Sequence, residues 1–153
     1  MKKLMAIGLL LSVQAPSAAQ MLRPVLTAES AATIRDGCIV WAEARKLNIA
    51  IAVHDESGRL MTFARMDGAS TAVSDIAMWK SRSAAIYRYP SAETAKWNNP
   101  HFPGIATAGG GVPIFTVDGQ ALGGVGVSGA STEQDAQCAE AGISAAGLRP
   151  RGS

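Results

Sequence analysis

Gly109-Gly-Gly-Val-Pro-Ile-Phe-Thr-Val-Asp-Gly-Gln-Ala-Leu-Gly-Gly-Val-Gly-Val-Ser-Gly129 reads as two short strands joined at Asp118-Gly119. That dipeptide favours a tight hairpin, because glycine accepts positive φ at no steric cost. The stretch carries far more glycine than a strand needs. Glycine inside a strand marks close approach of another backbone or of a ligand, and the triple glycine could also present backbone N–H groups to an anion. A tightly packed hairpin at a subunit contact is the alternative.

Working outward, Thr27 to Leu47 has Ala31, Ile34, Cys38 and Trp41 at helical spacing, with Thr27 as N-cap. Ile49 to Val53 is a short β-branched run, Glu56-Ser-Gly58 a turn, and Arg59 to Met66 a returning strand. A helix is expected from Ser70 or Thr71 to Tyr87, stopped by Pro90, with Ser91 capping a short helix through Trp97. Asn98 to Gly104 is a loop by composition. Thr132 with Asp135 offers a capping-box start for a last helix through Ala146. Two hairpins separated and flanked by helices give an α+β pattern on an antiparallel sheet.

The chain opens with Met1-Lys-Lys, an apolar run from Leu4 to Val13, and Ala15-Pro-Ser-Ala-Ala19 before Gln20. These are the three regions of a secretory signal peptide, with cleavage expected after Ala19. The apolar run is about half the length a membrane span requires, so no stable membrane insertion is expected after cleavage. Residues 20–148 form one domain and 149–153 a frayed tail. Without Lys2 and Lys3, twelve basic residues face 12 acidic ones, which argues against a nucleic-acid surface. The protein is expected in the periplasm or secreted. Cys38 and Cys138 are then either a disulfide, which an oxidising compartment permits, or two buried thiols.

Val53-His-Asp-Glu-Ser-Gly58, Arg65-Met-Asp-Gly-Ala69, Ile76-Ala-Met-Trp-Lys80, Gly110-Gly-Val-Pro113 and Gly124-Val-Gly-Val-Ser-Gly129 occur in order. This set resembles the GlcG/HbpS family, the haem-degrading domain family, which is similar to the C-terminal domain of PduO-type proteins. The resemblance spans roughly Leu26 to Leu148. It implies a profilin-like five-stranded antiparallel sheet flanked by helices, a homo-oligomer, and a small-molecule ligand such as haem. It also implies that the two cysteine-bearing helices lie near one another. One departure stands out: His54 replaces the second valine of the usual Val-Val-Asp.

Lys80 falls inside the apolar stripe Val73, Ile76, Ala77, Ala84 and Tyr87. A lysine is rarely buried without a partner. It is expected to meet Asp55, Asp67 or another carboxylate, to snorkel outward, or to line a pocket for an anionic ligand. The candidate ligand set is Lys80, Tyr87, His101, Gly109, Gly110 and Gly111. His54 and His101 are the only histidines, too few for a dedicated zinc site but sufficient for one axial haem ligand. His54 points opposite to Val53 and Asp55 on strand alternation. His101 sits near Trp97 and Phe102, in a loop that could cover a flat apolar ligand.

No nucleophile elbow or Ser-His-Asp order is present. The leading expectation is an exported binder of haem or a related planar or carboxylated molecule. The alternative is a lyase or isomerase of small hydroxy or keto acids in organic-acid or aromatic catabolism, with Lys80 as base or clamp. A sensor subunit is a third reading, and nothing in the sequence supports it.

Overall fold

The computed structural model describes residues 22–99 and 101–150; the expected leader, residues 1–19, and residues 151–153 lie outside them. Helix α1 spans Ala28–Glu43, β1 Ala50–Asp55, β2 Leu60–Arg65 and α2 Thr71–Tyr87. A short α3, Ser91–Thr94, runs into a 3-10 turn, Ala95–Trp97. Strand β3 is Gly111–Phe115, β4 Ala121–Ser128, α4 Thr132–Ala145 and β5 Arg149–Pro150. The sheet order is β2-β1-β4-β3-β5, and every pairing is antiparallel. The fold is therefore α+β on a five-stranded antiparallel sheet.

Alternation assigns the two sheet faces. Ile51 and Val53 of β1 and Val125 and Val127 of β4 join Ile34, Cys38, Ile143 and Ala139 in the main core under α1 and α4. The opposite face is built from small residues, with Ala50 and Ala52 meeting Ala77 of α2. On β4 that face is glycine. A Cβ built on Gly126 would overlap Ala77 O and the Ser81 backbone nitrogen, and one on Gly124 would overlap the backbone of Ser81 and Ala85. The strand glycines are there because α2 lies with its backbone almost on the sheet.

Local chemistry sets the ends. Thr27 caps α1 as expected, its side chain accepting from Ser30 N–H. Gly119, at φ +87°, closes the β3–β4 turn with its N–H on Thr116 O. Three expectations shift. The capping box of α4 is Ser131 with Gln134, not Thr132 with Asp135, because Asp135 is turned inward. Ser91 does not cap α3; its Oγ accepts Gly111 N–H at 2.7 Å. Arg149 and Pro150, expected to fray, pair with Phe115 and Ile114 as the fifth strand.

Cys38 and Cys138 form a disulfide between α1 and α4, with Cα atoms 4.8 Å apart and both residues fully buried. The helices come this close because Gly142 packs against Ile34 O, where no Cβ would fit. Closing a loop with a sequence separation of 100 stabilises by about 4–5 kcal/mol in the chain-entropy account.

The glycine seat is testable. Gly126→Ala must push the α2 backbone away, so its cost should reach or exceed the upper end of the about 1–3 kcal/mol typical of overpacking. Gly119→Ala has open space around it and meets only the left-handed backbone penalty of about 1–2 kcal/mol. Urea unfolding of both variants should rank them in that order, and a neutral Gly126→Ala would contradict the seat.

Candidate functional site

Helix α2 carries two polar side chains into the protein at adjacent positions. Lys80 is only 4% exposed, and its Nζ donates to Val127 O at 3.0 Å and to Asp135 Oδ2 at 3.1 Å. The other carboxylate oxygen of Asp135 accepts Ala130 N–H at 3.0 Å. Burial raises the Asp135 carboxyl above its ordinary range, and Lys80 and the Ala130 N–H oppose that rise in part. The pair ties α2 to the end of β4 and to α4.

The triple glycine wraps this pair. A Cβ on Gly110, whose φ is +105°, would stand 2.7 Å from Asp135 Cβ and 3.0 Å from Lys80 Nζ. The N–H of Gly111 is held by Ser91, and the carbonyl of Gly110 accepts Val127 N–H. Sequence reasoning brought Lys80 and Gly109–Gly111 together correctly, but as a closed polar knot and not as the wall of an opening. Of the alternatives left open for Lys80, the carboxylate partner is the one the structure shows, and that partner is Asp135; the N–H of Gly111 belongs to the fold.

The adjacent residue, Ser81, meets His54 across the sheet. Ser81 Oγ lies 2.7 Å from His54 Nδ1 and donates to Met78 O at 2.9 Å. His54 is 6% exposed, and the strand alternation expected for it holds. Its imidazole pKa is lowered, first by burial and then by the charge of Arg82, with Asp55 acting the other way.

Tyr87 and His101 lie at the far end of α2. Tyr87 OH donates to Pro103 O at 2.8 Å, which fastens the loop carrying His101. Tyr87, Tyr89, Trp97 and Phe102 pack edge to face or tilted, with centroids 5.1–6.3 Å apart. Trp97 and Phe102 remain 38% and 40% exposed, and His101 is exposed. Arg82 connects the two regions. Its Cγ leans on Gly58 in the β1–β2 turn, while its Nη1 is 3.2 Å from a Cβ placed on Gly104 in the His101 loop. His54 and the His101 loop therefore flank one arginine. Two other surface hollows, of about 240 and 280 Å³, contain none of the expected residues. Among the described residues no three His, Cys, Asp or Glu side chains converge as a metal site.

Sequence reasoning missed Asp135, Ser81 and Arg82. Asp135 was readable only as a cap residue, because its true partner is 55 positions away. Ser81 sits one position beyond the suspicious lysine, and nothing marked it.

The pattern of the family described as "Haem degrading protein HbpS-like" matches residues 26–144. The chain belongs to this family. Protein GlcG of Escherichia coli K12 is 39% identical over 94 residues, 56% of this chain and 69% of that protein. The crystal structure of HbpS matches with a TM-score of 0.76 and 30% identity, covering 86% of this chain and 97% of that one. A PduOC:haem complex matches with a TM-score of 0.75 at 24% identity, over 82% of this chain and 97% of that one, a likeness of fold. In this chain the knot of Lys80, Asp135 and Gly110 gives the lysine and the Gly-Gly pair a place in the scaffold.

His54 gives a pH signature. Its folded pKa is lowered, so the unfolded chain takes up a proton near the ordinary value of about 6.5 while the folded chain does not. The stability tied to His54 is complete above that pH and is lost as pH falls toward the folded value. Thermal melts between about pH 7 and pH 5 should show a shallower loss for His54→Val than for wild type. Identical pH slopes would contradict the assignment.

Proposed function

We propose that this protein binds haem, or a closely related planar carboxylated molecule, where α2 meets the sheet edge, between His54 and the His101 loop. The observation that carries this reading is that Arg82 acts on the His54 imidazole and also reaches the loop that carries His101, its Nη1 lying 3.2 Å from a Cβ placed on Gly104. Membership of a family described by haem degradation supports it. So does the complex with haem formed by PduOC, whose fold this chain shares.

The residues fit the group. Haem needs one axial nitrogen, apolar surface for its ring and a cation for its propionates. His54 or His101 offers the first, and the exposed faces of Trp97, Phe102 and Ile86 the second. Arg82 offers the third. When bound, the iron would supply redox or ligand-binding chemistry, while these side chains orient it and shield one face from water.

Export to the periplasm or exterior is part of the proposal. The Met1–Ala19 leader pattern supports it, and so does a buried disulfide, since such bonds persist in oxidising compartments. Assembly into a homo-oligomer is proposed as well, from the resemblance that also suggested the ligand.

Mature protein titrated with haemin should give a saturable shift of the Soret band at about one haem per chain. A featureless, non-saturating change would reject haem as the ligand.

A further inference from the structure

We infer that His54, and not His101, is the residue this chain presents to the iron of haem; the inference rests on the haem-binding reading above. It begins with a count of protons. The Ser81 hydroxyl has one proton and two acceptors within reach, Met78 O at 2.9 Å and His54 Nδ1 at 2.7 Å, and we place that proton on Met78 O. The 2.7 Å contact with His54 Nδ1 is then one in which Ser81 Oγ accepts and Nδ1 donates. The ring is fixed as the tautomer with its lone pair on Nε2, the form that binds a metal ion.

Nε2 takes no hydrogen bond among the described residues, and no side-chain nitrogen or oxygen there is both buried and unpaired. The small exposure of His54 is therefore where Nε2 reaches the surface. A histidine whose other ring nitrogen is tied to a partner is oriented before the metal arrives, as metal-ligating histidines usually are.

The surroundings suit a flat apolar anion. His54 is paired across the sheet with Leu60, which is 50% exposed, on the face that also carries Phe63 opposite Ala52. Ile86 and Arg82 of α2 lean on Gly58 at the adjoining turn. Access past the half-exposed Leu60 asks a side chain to move, not a strand. His101 shows no such preparation among the described residues, where only its backbone N–H is engaged, by Asn99 Oδ1 at 3.0 Å. Fixing an exposed loop imidazole would cost conformational entropy that His54 has already lost on folding. His54 also stands where the resembling pattern has valine, so the ligand would be a property of this chain.

The test compares haemin-loaded wild type with His54→Val, His101→Ala and Ser81→Ala by absorption and EPR. Valine suits a strand and leaves Ser81 bonded to Met78 O, so His54→Val should fold, as circular dichroism would confirm. Wild type and His101→Ala should share a high-spin ferric spectrum with one imidazole ligand. His54→Val should lose that spectrum and bind haemin at least about tenfold more weakly, and Ser81→Ala should weaken binding roughly tenfold. Loss of the spectrum in His101→Ala with retention in His54→Val would overturn the inference, as would retention in both; haem binding itself would stand in either case. No Soret change in wild type would bring down the binding reading and this inference with it. Independently of haem, nitrogen-15 NMR of the free protein should show His54 protonated on Nδ1; protonation on Nε2 alone overturns the assignment.

Discussion

The backbone of α2 rests on the backbone of β4, and that contact requires Gly124 and Gly126 to have no side chains. The rest of the structure follows from how close the helix can come. At this distance Lys80 reaches past the strand to Val127 O and Asp135, and Ser81 touches His54 on the neighbouring strand. A helix held a side chain's width further out would reach neither. The sheet's other face can be a conventional branched-aliphatic core only because this face is nearly flat.

The two buried polar contacts of α2 do different things. Lys80 and Asp135 join three elements and satisfy one another, so they define where α2 and α4 sit and leave nothing to offer a ligand. Replacing such a pair with apolar residues is often neutral, whereas removing one partner is costly. His54 and Ser81 satisfy only one of the two imidazole nitrogens. The incomplete contact is the one the haem proposal uses, and its strand partner is the half-exposed Leu60.

Much of this was legible in the sequence where the signal was local. The Asp118-Gly119 turn, the extent of α2 and the Thr27 cap follow from residues a few positions apart. The glycine density was readable as close approach, although not as approach by a helix rather than a ligand. The misreadings share a cause. Asp135 belonged to a plausible cap, and only a partner brought near by the fold shows otherwise. The fifth strand is two residues long and includes a proline, so neither pattern nor propensity announces it. For Lys80 the sequence left a carboxylate partner and a ligand pocket both open, and the partner found, Asp135, is one that only the fold brings near.

The claim that α2 is seated on glycine and pinned by one ion pair is tested most directly by a double-mutant cycle. Lys80→Met and Asp135→Leu would be made singly and together, and unfolding free energies measured in urea. Each single change should destabilise by about 3–5 kcal/mol by leaving its partner charged and buried, and the double variant should recover most of that loss. Single changes that each cost less than about 1 kcal/mol and simply add, as uncoupled sites do, would contradict the account.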